Sequence, residues 1–138
     1  MEDIEAAVQE FSAAFVVEPA RIMEPTIPWT YRGKPAADIR MKAAHYMWGD
    51  IELELIQWIA GESAYKEHLE RKGFGLHHIG ILSSAFDRDL KEFEEHGINP
   101  IQMVRNTSER GIAYMDTEKP LGLVVELMPG FVAKRRDA

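Results

Sequence analysis

Two adjacent histidines and three glutamates carry the polar chemistry of otherwise apolar segments. His77 and His78 lie in Gly75-Leu76-His77-His78-Ile79-Gly80. Glu52 and Glu54 lie in Ile51-Glu52-Leu53-Glu54-Leu55-Ile56, and Glu126 in Leu121-Gly122-Leu123-Val124-Val125-Glu126-Leu127. Imidazole and carboxylate groups presented from separate strands are the donors of a small divalent-metal site, and the same groups can move a proton. On a strand His78 shares a face with Leu76 and Gly80, whereas His77 points the other way with Ile79 and Ile81. Only one of the pair can therefore reach a given cleft; His78 is the candidate, and His77 is read as structural or supporting. Glu126 inside an apolar strand is either buried with a partner, lines a wet cleft, or faces outward from a half-exposed strand. Glu54 shares its face with Glu52; each is either solvated or shifts the other by like-charge repulsion.

Competing chemistries lack their residues. The absence of cysteine excludes disulfides, thiolate nucleophiles and Cys-type zinc sites. Gly61-Glu62-Ser63-Ala64-Tyr65 lacks the final glycine of a nucleophile elbow, and Gly73-Phe74-Gly75 precedes a strand instead of opening a helix. Sixteen basic against 23 acidic residues give a formal net charge of −7, a field that repels a phosphate backbone, so no nucleic-acid partner is expected. The basic cluster Lys134-Arg135-Arg136 is read as a solvated tail. The acidic start, Met1-Glu2-Asp3-Ile4-Glu5, lacks the basic and apolar regions of a signal peptide. No apolar run approaches the ~20 residues a membrane span needs. The expectation is a soluble cytoplasmic protein, one structural domain whose 138 residues can bury a core without staples.

The elements that must position these side chains follow from periodicity. Residues 2–15 place Ile4, Val8, Phe11 and Phe15 at helical spacing, with acids in the first turn. From Arg21 to Trp58, Pro25, Pro28, Gly33, Pro35 and Gly49-Asp50 punctuate three strands. In Ile51–Trp58, Ile51, Leu53 and Leu55 alternate with Glu52, Glu54, Ile56 and Trp58. Glu62–Lys72 reads as a helical connector capped by Ser63 and ended by Gly73. Leu76–Leu82 is a strand. Residues 85–96 form a helix through Phe86, Leu90 and Phe93, and strands follow near 101–105, 111–116 and 121–128.

The two long helices expose an internal repeat: Ile4, Val8 and Phe11 superpose on Phe86, Leu90 and Phe93 at a constant spacing of 82 residues. Three strands follow each helix. The second half, 75–138, reads βαβββ, while the first, 1–60, reads αβββ, with 61–74 connecting them. The same spacing carries His78 to a point about five residues before Met1, so a first strand and its histidine have no counterpart in the first half.

With His78, Glu54 and Glu126 so placed, the chain resembles the vicinal-oxygen-chelate superfamily. That group includes glyoxalase I, methylmalonyl-CoA epimerase, extradiol dioxygenases and bleomycin-resistance proteins, and the likeness is greatest to the epimerase-like glyoxalase branch. Leu53-Glu54-Leu55-Ile56-Gln57 is similar to the end of that branch's first module, Gly75–Gly80 to the opening of the second. Ala113-Tyr114-Met115-Asp116-Thr117 and Leu121–Leu127 are similar to its closing hairpin. The resemblance implies an α+β fold, tandem βαβββ modules forming a curved mixed sheet with a central cleft, here without the opening strand of module one. It implies a divalent metal ion (Co, Mn, Ni, Zn, Fe or Mg) held by His78, Glu54 and Glu126. The implied activity is that of a metal-dependent isomerase, epimerase or lyase acting through an enolate of a small carbonyl or carboxylate compound, with Glu126 as the first candidate base. Asp38 lies near the position of a second acid/base carboxylate in the epimerases, and His45 is a further candidate. The alternative is a metal-free small-molecule-binding protein of the bleomycin-resistance kind.

The missing strand has three readings: a start site placed too far downstream, a truncation filled by an exchanged strand or second subunit, or metal-free ligand binding. A homodimer or strand-exchanged oligomer is expected, since an unpaired strand in mid-sheet leaves backbone groups unsatisfied. Trp29, Tyr31, Trp48, Trp58 and Tyr114 either line an apolar pocket or sit in the core.

Overall fold

The helices begin and end where their sequence signals lie. In the computed structural model, which describes residues 1–130, α1 (Ile4–Phe15) starts at Asp3, whose side chain accepts from the Ala6 amide at 3.0 Å. The Lys134-Arg135-Arg136 cluster lies outside the described residues. Along the chain follow β1 (Arg21–Met23), β2 (Thr30–Tyr31), β3 (Lys34–Pro35), β4 (Arg40–Trp48) and β5 (Ile51–Ala60). Then come α2 (Ala64–Lys72), β6 (His78–Ser83), α3 (Phe86–Glu95), β7 (Pro100–Arg105), β8 (Gly111–Met115), α4 (Glu118–Leu121) and β9 (Val124–Pro129). Ser63 caps α2 by accepting from the Lys66 amide, and Gly73, at φ +74°, ends it. The fold is α+β, as expected.

The chain forms two compact units. The first comprises Met1–Ile27 and Asp38–Glu62; the second comprises Pro28–Ala37 and the described chain from Ser63. The sheet of the first unit is antiparallel, in the order β1-β4-β5. Under one face lies α1, where Ile4, Ala44 and Tyr46 are buried with Val8, Phe11, Leu53 and Leu55 packed around them. Phe15, the last apolar residue of the helical stripe, stays half exposed against the Trp48 ring. The chain start is tied to β5: the Met1 amino group donates to the Ile56 carbonyl at 3.1 Å, and Gln57 accepts from Ile4 N–H and donates to the Glu2 carbonyl.

In the second unit the order is β3-β2-β7-β8-β9-β6, antiparallel except for β6 on β9. The βαβββ segment from β6 to β9 is complete, with α3 on one face. Phe86, Ala113, Met115 and Leu127 form its core, with Leu90, Phe93, Ile98 and Met103 around them. Three strands were expected between Arg21 and Trp58, and five elements appear between Arg21 and Ala60. The additional β2-β3 hairpin adds to the second sheet, not the first. Gly33, at φ +77°, makes its turn, and Thr30 and Tyr31 pair with Met103 and Gln102. Glu67 of α2 holds the hairpin, accepting from Tyr31 and bidentately from Arg32 at 2.7 and 2.9 Å. The last strand begins at Val124 and not at Leu121, because residues 118–121 close a helical turn ended by Gly122 at φ +77°.

Phe86 is 1 % exposed, and a Cβ at Gly111 would stand 2.6 Å from its ring. So tight a seat cannot collapse around a smaller side chain. Phe86→Ala is expected to lower stability by about 3–5 kcal/mol, read from the urea unfolding midpoint at constant slope.

Candidate metal and acid–base site

Glu126 is a carboxylate enclosed in an apolar strand. Val124, Val125 and Leu127 around it are buried, and Glu126 itself is 7 % exposed. It stands opposite Tyr114 of β8 and Gly80 of β6, on the sheet face away from α3. His78, two residues before Gly80, shares that face and brings its Nε2 to 3.3 Å from Glu126 Oε2. Both side chains are about nine-tenths buried. Glycine at position 80 keeps room here: a Cβ would lie 3.6 Å from Glu126 Oε2 and 2.8 Å from Met128 Sδ. Of the sequence candidates, the structure thus brings His78 and Glu126 together in the second unit.

His77 behaves differently from the expectation that it points away. β6 begins at His78, so strand alternation does not reach His77. Its Nδ1 meets His78 Nδ1 at 3.0 Å, one nitrogen donating and the other accepting. The ring lies among His68, Tyr65 and Tyr114, with centroids 5.1–5.7 Å away. Burial, then the neighbouring charges of His78 and His68, push the His77 pKa down from 6.5 to about 3. His77 is therefore neutral at physiological pH and supports His78 through the shared proton. When His78 donates from Nδ1, its Nε2 presents a lone pair beside Glu126. Burial also lowers His68, whose two ring nitrogens have no hydrogen-bond partner among the described residues. Tyr65 O–H donates to Tyr114 O–H at 2.9 Å and Gln102 accepts from the Ala64 amide, fixing α2 over the same face. Sequence reasoning missed His68, Tyr65 and Gln102, because a short polar helix gives no sign of which sheet face it covers.

Glu54 lies in the first unit, on the face of β5 away from α1. It stands opposite His45, whose Nε2 is 3.5 Å from Glu54 Oε1. Glu52, on the same face, meets His45 Nδ1 at 3.0 Å, and Arg21 Nη2 approaches that nitrogen at 3.3 Å. His45 is 6 % exposed. Asp38 is exposed in the turn before β4; its carbonyl lies 2.7 Å from where a Cβ on Gly61 would be. The aromatic candidates divide. Trp29 and Tyr114 are buried in the second unit with ring centroids 6.1 Å apart, and Tyr31 is bound to Glu67. In the first unit Trp48 is half exposed and Trp58 donates to the Gly61 carbonyl.

The donor set suits a divalent ion. Two ligands at ~2.0–2.2 Å from one small cation stand roughly 3–3.5 Å apart, close to the His78–Glu126 separation. A buried imidazole and carboxylate with glycine-made space beside them fit such an ion. Among the described residues, no three or more His, Asp or Glu side chains are gathered as a ready metal group.

A sequence profile of the glyoxalase/bleomycin resistance protein/dioxygenase superfamily matches residues 1–114. The chain belongs to that superfamily. A curated relative, the uncharacterized protein YqjC of Bacillus subtilis (strain 168), is 29 % identical over 90 residues; the match spans 64 % of this chain and 64 % of that protein's length. Among solved structures, the hypothetical protein BH1468 from Bacillus halodurans C-125 is similar at TM-score 0.69 and 17 % identity, over 96 % of this chain and 90 % of that one. A Streptomyces coelicolor methylmalonyl-CoA epimerase variant in complex with 2-nitronate-propionyl-CoA gives 0.68 and 19 %, over 95 % and 91 %. The methylmalonyl-CoA epimerase from Mycobacterium tuberculosis gives 0.67 and 15 %, over 95 % and 83 %. At these identities the structural likeness shows the fold alone. No helix among the described residues is long and apolar enough to cross a membrane.

The depressed His77 pKa has a consequence for acid stability. Between pH 6.5 and about 3 the unfolded state carries a proton on His77 that the folded state does not. Stability therefore falls with falling pH in this window, by up to about 1.4 kcal/mol per unit. Urea midpoints at pH 7 and pH 5 are expected to show this slope, and His77→Phe to flatten it.

Proposed function

We propose that this chain is a divalent-metal-dependent isomerase, epimerase or lyase acting beside the carbonyl or carboxylate of a small molecule. The observation that supports the reading is the buried His78–Glu126 pair, 3.3 Å apart with the Gly80 space beside it. In this reading His78 and Glu126 are metal ligands, while Glu54, which the superfamily pattern also implies as a ligand, lies in the first unit. A bound divalent ion would polarise the substrate carbonyl and offset negative charge as an enolate develops.

The chain's own residues supply the rest. His77 holds the His78 ring through the Nδ1–Nδ1 hydrogen bond, keeping Nε2 directed at Glu126. Glu126 is the first candidate to take the proton from the carbon next to the carbonyl. Val124, Val125 and Leu127 keep water from the back of the carboxylate, so a proton on Glu126 is exchanged through the substrate side. Coenzyme A thioesters are the first substrates to try, because solved relatives with this fold are methylmalonyl-CoA epimerases.

The decisive assay is hydrogen–deuterium exchange at the α-carbon, followed by NMR in deuterated buffer with Co²⁺ or Mn²⁺. Methylmalonyl-CoA and a panel of small 2-oxo and 2-hydroxy carboxylates serve as substrates. The wild type is expected to wash in deuterium from one of these, and Glu126→Gln to slow it by at least about 10²-fold. Lack of metal-dependent exchange across the panel, together with tight binding of small aromatic ligands by metal-free protein, would instead support the bleomycin-resistance kind of function.

The reading includes a second copy of the chain as partner. Among the described residues β6 pairs only with β9, and it leaves Ile79, Ile81 and Leu82 nearly half exposed. Natural sheets cover or charge such edges. Sedimentation equilibrium is expected to show a dimer, and a monomer persisting at high concentration would refute this part.

A further inference from the structure

In the second unit, the sheet face that carries His78 and Glu126 is more open at one end than at the other. Along β9, Val124 and Glu126 are buried, and Met128, next on the same face, is half-buried. Along β6, which lies beside β9 in parallel register, His78 is followed on this face by Gly80, which is exposed. Exposure therefore rises from the Val124 end of the face to the Met128 end. A molecule approaching the pair along this sheet comes in over Gly80.

Glycine inside a strand weakens it, and it marks a bulge, a bend or the close approach of another group. β6 pairs with β9 from His78 to Ser83 without a register shift, and Gly80 lies outside the positive-φ region that only glycine favours. What remains is space. A Cβ at Gly80 would stand 2.8 Å from Met128 Sδ and 3.9 Å from its Cγ, a clash, but at an ordinary 3.6 Å from Glu126 Oε2. The hollow beside the candidate base is thus filled by the Met128 thioether. Methionine, unbranched and with three rotatable bonds, fills irregular gaps and adapts to what else enters them. Being half-buried, Met128 has solvent on one side into which to turn.

We infer that Met128 is the specificity-determining residue of the His78–Glu126 site, its thioether standing where a small apolar substituent on the substrate's reacting carbon binds. The inference rests on the proposal that the chain enolises a carbonyl or carboxylate compound, and it narrows the substrate class. The carbon that loses its proton to Glu126 carries a group of about methyl size, which takes the hollow over Gly80 as Met128 turns aside. Backbone at Gly80 and the apolar Met128 side chain offer a charged or long substituent nothing to pair with.

The test follows deuterium exchange at the α-carbon, with Co²⁺ and the full-length protein, in two series whose substituent grows from methyl to propyl. One is methyl-, ethyl- and propylmalonyl-CoA; the other is 2-oxobutyrate, 2-oxopentanoate and 2-oxohexanoate. The wild type should prefer the methyl member of the series it accepts. Met128→Ala should raise kcat/KM for the propyl member relative to the methyl member by at least about tenfold, and Met128→Leu, of similar volume, should keep the wild-type order. Gly80→Ala, which fills the hollow with a group that cannot turn away, should slow every member while leaving Co²⁺ affinity unchanged. In the Co²⁺-loaded wild type, the ¹³C-labelled Met128 methyl resonance should move when the methyl member binds, a readout that needs no variant to fold. An unchanged preference in Met128→Ala, or a Met128 methyl that stands still, would overturn this inference and leave the metal-dependent function standing. So would exchange of other carbon acids but of neither series. No metal-dependent exchange of any carbon acid by the wild type would overturn both.

Discussion

A carboxylate placed in the middle of a buried strand sets the terms for the structure around it. Glu126 lies among Val124, Val125 and Leu127, where an unpaired negative charge costs several kcal/mol. His78 answers it at 3.3 Å, and that partner is available only because β6 runs parallel to β9 in a register that sets Gly80 against Glu126. The parallel pairing in turn requires a crossover, which α3 supplies while covering the other face with Phe86. One polar pair and one apolar helix thus divide the two faces of the same strand.

The histidine side of the pair is tuned by neighbours that carry no net charge. His77 is held neutral by burial and by the adjacent imidazoles, so the proton shared with His78 is a hydrogen bond between rings and not an ion pair. A cation beside Glu126 then meets an imidazole oriented from behind. In the first unit Glu52 and Arg21 both approach His45 Nδ1, so that ring too is held from the side away from Glu54.

Much of this was legible in the sequence where periodicity was long enough to read. α1 and α3 have apolar stripes and recognisable ends, and β5 and β9 display alternating or continuous apolar residues around their glutamates. That His78 and Glu126 belong to one site was implied by the family resemblance and not by their faces; the register of β6 on β9 sets them 3.3 Å apart. The β2-β3 hairpin was not legible, because strands of two residues have no period and their sheet is chosen by Glu67 on a distant helix. His77 was misjudged because alternation was extended one residue before β6 begins. The His45–Glu54 pair had a readable signal that went unused. A two-residue turn at Gly49-Asp50 fixes Trp48 against Ile51, and counting back along both strands sets His45 opposite Glu54.

The claim on which the functional account turns is that His78 and Glu126 hold a divalent ion. Anomalous diffraction at the cobalt edge from crystals of Co²⁺-loaded protein tests it directly. The account predicts an anomalous peak at roughly 2.0–2.2 Å from both His78 Nε2 and a Glu126 carboxylate oxygen. A well-occupied cobalt elsewhere, or none at saturating Co²⁺ with the His78–Glu126 contact unchanged, would contradict it.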